Sequence, residues 1–72
     1  MTYELKILTK GRNYHGCYLI KGYRKDLQKC IKAAQNDIEE ALCERKDIYE
    51  FRVNITSFGK KVYNWKYIPT FR

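Results

Sequence analysis

The run from Arg24 to Arg45 constrains this chain most, because Leu27, Cys30, Ile31, Ala34, Ile38, Ala41 and Leu42 recur at i, i+3, i+4 and i+7. That spacing puts apolar side chains on one stripe of a helix, and such a stripe must be covered by a second layer. Strand-type segments lie on either side, at 3–9 and 14–20 before the helix and at 48–56 and 62–68 after it. The chain therefore reads as ββαββ. Two β-hairpins flank one amphipathic helix, which packs on one face of a four-stranded, mainly antiparallel sheet, an α+β fold. With 72 residues there is room for one domain, spanning 1–72.

Alternation supports each strand. Tyr3, Leu5 and Ile7 alternate with Thr2, Glu4 and Lys6, and Leu8 breaks the pattern in a way that suggests burial on both sides of that strand end. The segment Lys10-Gly11-Arg12-Asn13 carries the Gly and Asn that a hairpin loop favours, with two cations at its tip. In the second strand either face could meet the helix. The Tyr18 and Ile20 face is expected there, with Gly16 marking a bulge or close backbone approach, and Lys21-Gly22-Tyr23 turning the chain into the helix. The third strand sets Tyr49, Phe51, Val53 and Ile55 against Glu50, Arg52 and Asn54, the cleanest alternation in the chain and the mark of a central strand. Ser57-Phe58-Gly59 makes a turn, and Pro69, which cannot donate to a ladder, ends a fourth strand suited to an edge. Strand order stays open. An all-antiparallel order 2-1-3-4 fits, as does a right-handed crossover that places the second and third strands parallel.

Charge gives the second constraint. Fifteen Lys and Arg against eight Asp and Glu leave +7, a balance that either favours an anionic partner or serves solubility alone. Within the helix the charges run against the macrodipole. Arg24, Lys25, Lys29 and Lys32 crowd its first third against Asp26, while Asp37, Glu39, Glu40 and Glu44 follow later. Each such placement costs about 0.3–1 kcal/mol at an exposed site. Tertiary packing absorbs that easily. The alternative is that the cations sit where free backbone N–H groups already attract an anion.

Several chemistries find no footing. His15 is the single histidine, beside a Cys17 that reads as buried, and the carboxylates of the helix lie on an exposed face where nothing raises a pKa. The protein is expected not to be an enzyme. No phosphate-cradling glycine loop occurs, and Cys17, Cys30 and Cys43 are too dispersed for zinc, so no cofactor and no metal are expected. An odd cysteine count and a first segment unlike a signal peptide point to a reduced, cytoplasmic protein, and no apolar run reaches the roughly 20 residues that span a bilayer.

What has a mechanism is the interleaving of cations with aromatics. Lys10, Arg12, Lys21, Arg24 and Lys25 form one group around Tyr23, and Lys60, Lys61 and Lys66 form another around Trp65. Lysine and arginine contact phosphates, and aromatic rings offer stacking faces to unpaired bases, although on an alternating strand Trp65 more often fills a core. The expected function is that of a small basic binding protein that engages nucleic acid, or a nucleoprotein complex, through phosphate contacts. Two alternatives stand beside it. One is an inhibitor or adaptor of the viral or mobile-element kind that binds a host protein; the other is a homo-oligomeric sponge for small anionic nucleotides. No membrane partner is expected.

Overall fold

The structure, a computed structural model, describes residues 1–10 and 15–69. Its elements are β1 (Thr2–Lys10), β2 (His15–Tyr23), α1 (Leu27–Glu44), β3 (Ile48–Ser57) and β4 (Lys60–Tyr67). All neighbouring strands pair antiparallel, in the order β2-β1-β3-β4. Because β1 is antiparallel to both β2 and β3, those two run parallel with β1 between them. The connection through α1 therefore crosses over β1, which seats the helix above the two central strands and leaves β2 and β4 as edges. Pro69 follows the edge strand β4.

The helix begins later than the apolar stripe suggests. Asp26 adopts an extended conformation as N-cap, and its Oδ1 accepts the Lys29 N–H at 2.8 Å, so Arg24 and Lys25 precede the helix rather than belonging to it. A cap of this kind is worth about 1 kcal/mol. At the other end Arg45 leaves the helical conformation while its N–H still reaches the Ala41 carbonyl. The segment 21–23, expected as a turn, instead extends β2, since each of its residues has a β1 partner down to the Thr2–Tyr23 pair.

One core lies between α1 and the sheet. Tyr3, Leu5 and Ile7 of β1, Phe51, Val53 and Ile55 of β3, and Cys30, Ala34 and Ile38 of α1 are all buried. Burying a side chain such as Leu5 or Phe51 completely contributes about 1.5–3 kcal/mol. Ile20, Tyr63 and Trp65 on the edge strands pack against the margins of this core, with Tyr18 and Ile20 on the helix side as expected. Ile31 is only half-buried.

Two local departures come from tertiary contacts. The β1–β3 register shifts between Leu8 and Thr9, so that Thr9 pairs with Ile48 and Leu8 with Glu50. The bulge puts Ile48, not Tyr49, into the core, and Leu8 falls half-buried on the opposite face. The second concerns glycine. Gly16 sits in an unbroken β1–β2 register, and the close approach occurs at Gly22, where a Cβ would lie 2.4 Å from the Tyr3 ring. That ring packs against Gly22 and carries its hydroxyl to Asp37 Oδ2 of α1 at 3.1 Å. Burial and the Asp37 bond together push the Tyr3 phenol above its ordinary pKa.

Candidate functional site

No helix covers the second face of the sheet among the described residues, and the register sorts its side chains into rows. At one end Tyr23, Thr2, Thr56 and Lys61 stand side by side; then come Lys21, Glu4, Asn54 and Asn64; then Leu19, Lys6, Arg52 and Lys66. Neighbours within a row are about 4.8 Å apart and successive rows about 7 Å. In the third row Lys6, Arg52 and Lys66 occupy adjacent strands, an arrangement that is destabilising when like charges stand directly opposite.

One buried carboxylate organises that row. Glu50, beside Leu8 in the next row and only 7% exposed, accepts from Arg52 Nε through one oxygen and pairs with Lys66 Nζ at 3.3 Å through the other. Burial pushes the Glu50 carboxyl up, yet Arg52 and Lys66 outweigh it and hold the group below the usual carboxylate range. Glu50 is thus ionised and serves as the counterion that lets two of the three cations stand together. Lys6, Lys21, Arg52, Lys61 and Lys66 against Glu4 and Glu50 leave the face with an excess of three positive charges.

At the end of the sheet the two groups of basic residues seen in the sequence meet. Antiparallel pairing brings the end of β2 and the β3–β4 hairpin to the same edge. Lys25 and Tyr23 there share a hollow with Met1, Thr2, Phe58 and Gly59, next to Lys60 and Lys61. The hairpin turns through Phe58 and Gly59, both with positive φ (50° and 78°). Such a two-residue turn favours Asn-Gly, and a bulky residue in the left-handed region is uncommon. Phe58 nonetheless occupies it with its side chain fully exposed. Arg24 stacks on the Tyr3 ring at 5.7 Å and donates to the Tyr23 carbonyl at 2.7 Å.

Other candidate residues lie elsewhere. Lys10 stands at the far end of β1, roughly 27 Å along the strand, with its Nζ 5.8 Å from the Tyr49 ring centre. Arg12 falls outside the described residues. Trp65 is on the helix side, half-buried against the core and stacked on Tyr67 at 5.6 Å, so it shares no surface with Lys61 and Lys66. The helix N-terminus is occupied by the Asp26 carboxylate, which takes the place an anionic ligand would need. Lys6, Arg52 and Phe58 were missed in the sequence. The alternation of β1 and β3 already put Lys6 and Arg52 on a common face type, but only strand order makes them neighbours.

Cys17 and Cys43 are exposed, and buried Cys30 directs its thiol to the Met1 carbonyl at 3.6 Å. Among the described residues no helix is long and apolar enough to cross a membrane. Comparison with known protein families, with curated proteins and with solved structures finds no match to this chain.

Proposed function

We propose that the protein is a non-catalytic binder of nucleic acid that uses the helix-free face of its sheet and the adjoining β3–β4 hairpin end. The observation that carries this reading is the row of Lys6, Arg52 and Lys66, continued by Lys21 and Lys61. Glu50 accounts for Arg52 and Lys66, but fold stability gives no reason to set Lys6 beside them, whereas a polyanion laid across the face relieves their repulsion and releases its own counterions. Phosphates are the natural ligand of such a surface. Exposed aromatics, Tyr23 and Phe58, stand only at its margin, so stacking on unpaired bases is a secondary contribution and recognition is tolerant of sequence.

Fluorescence anisotropy with labelled single- and double-stranded oligonucleotides, at about 50 and about 200 mM salt, tests the reading. Binding to several unrelated sequences with similar affinity, weakening steeply with salt, is expected. A pull-down from cell extract with and without nuclease complements it. A partner retained equally after nuclease, together with no oligonucleotide binding at low salt, would replace this reading by one in which a protein is the target.

A further inference from the structure

The two edges of the sheet are built differently. β4 carries Lys60, Lys61 and Lys66 and runs into Pro69, the features that keep an edge from pairing with another chain. β2 has little of this protection. Its nine residues, HGCYLIKGY, contain a single cation, no acid and no proline, and Tyr18 and Leu19 are each about half exposed, on opposite faces. A weakly protected edge of this length is a template for a further strand.

What fits it is a second copy of the same strand. We propose that the protein forms a two-fold dimer by antiparallel pairing of β2 with β2, centred on Leu19, which joins the two sheets into one of eight strands. In a continuous sheet, residues that stand opposite one another must point to the same face, so only registers that pair odd positions with odd and even with even are allowed. The one that uses the whole strand pairs Leu19 with the partner's Leu19. It also pairs Tyr18 with the partner's Ile20, Cys17 with the partner's Lys21, and Gly16 with the partner's Gly22. The strand is thus close to a palindrome in residue class about its centre, which is what an isologous interface requires. Apolar side chains meet on both faces, and no lysine meets a lysine.

The helix supplies an independent argument. α1 lies over β1 and β3, so its axis is set back from the β2 edge by roughly two strand spacings, and two such helices about the axis stand roughly 19 Å apart. With helices about 10 Å across, the gap between them is one layer of side chains, and Tyr18 and Ile20 of each copy are in place to fill it. In the single chain these two residues line an open groove with Ile7 and Ala41, and the Arg45 guanidinium lies over the Tyr18 ring at 4.7 Å at its end. The flank of α1 that looks over this groove carries Asp37, Glu40 and Glu44, with Arg45 at the end of the helix. Lys29 and Lys32, nearer the start of the helix, border a separate hollow. A two-fold axis reverses the direction of one helix against the other. The end of α1 that carries Lys29 and Lys32 therefore runs alongside the acidic end of the partner helix. Pairing also extends the basic open face across both copies.

Sedimentation equilibrium over a concentration series tests this, on the wild type and on Leu19→Lys. The wild type is expected to dimerise. The substitution sets two lysines opposite each other at the axis and should weaken self-association by about tenfold or more, while the chain stays folded and melts somewhat lower, because position 19 is on an exposed edge but also stands opposite Lys6 of β1. Leu19→Cys combined with Cys17→Ser and Cys43→Ser gives a second readout: mild oxidation should link the two copies through position 19, and the same substitution at Asn64 on β4 should not. A wild type that stays monomeric throughout, a dimer insensitive to Leu19→Lys, or equal linkage at positions 19 and 64 would each overturn the proposal. So would oligonucleotide or protein binding that abolishes linkage at position 19 in a monomeric protein, since the edge would then belong to that partner.

Discussion

Lys6→Glu separates the demands of folding from those of binding at the centre of the open face. In the structure Lys6 stands directly opposite Arg52, whose other neighbour is Lys66. Replacing a like-charge pair by an opposite-charge pair across strands is worth about 0.2–1 kcal/mol, which for a domain of this size raises the melting temperature by about 1 to 8 °C. The same change lowers the charge excess of the face from three to one. If its five cations all neutralise phosphates of a single strand, the slope of log K against log salt is about −3.5, and affinity falls by about two orders of magnitude between about 50 and about 200 mM salt. Losing one contact reduces that slope by about 0.7, and losing the effect of two charges reduces it by about 1.4. Circular-dichroism melts and anisotropy titrations on the same preparations read both quantities. A variant that melts higher but binds with a shallower salt slope and lower affinity is expected. Wild-type affinity and slope in Lys6→Glu would remove the open face from consideration, and a clearly lower melting temperature would show that the third row is not under charge repulsion at all.

Other consequences follow from the core and its carboxylates. Gly22→Ala would drive a Cβ to 2.4 Å from the Tyr3 ring, forcing the ring off β2 and its hydroxyl away from Asp37, so a loss of about 1–3 kcal/mol in denaturant melts is expected; a neutral result would mean that the ring swings away freely. Ile38→Ala empties the middle of the buried helix stripe and should cost about 2–5 kcal/mol, while Ile31→Ala, at a half-buried position, should cost less, an order that the same melts check. The arginine contacts of Asp47 lower its folded-state pKa, and those of Arg52 and Lys66 lower that of Glu50 despite its burial. Both carboxylates therefore contribute stability above their unfolded values, near pH 4, and that contribution disappears as pH falls through the lower folded values. Melting temperature should decline with acid in that window and decline less in Glu50→Gln, so identical acid profiles for the two proteins would argue against this account of Glu50.

Local patterns in the sequence determined the ββαββ order, the helix stripe and the inward faces of β1 and β3, because periods of 3.6 and 2 follow from backbone geometry and need no partner. They fixed element ends less well. Arg24 and Lys25 extend the helix by propensity, but the Asp26 cap and the β1 partners of residues 21–23 decide where helix and strand divide. The bulge that exchanges Tyr49 for Ile48, and the Tyr3 ring over Gly22, depend on contacts between residues distant in sequence and leave no periodic trace. For the candidate site the division is sharper. Its cations were visible as two clusters, near residues 21–25 and 60–66, and which of them share a surface depends on strand order. Pairing β1 with both β2 and β3 brings Lys21 and Lys61 onto one face, draws in Lys6 and Arg52, and turns Trp65 to the other side. A strand's alternation says only that Lys6 and Arg52 avoid the core. It is the hydrogen-bonded register, set by burying Leu5 against Val53 and Ile7 against Phe51, that makes them neighbours.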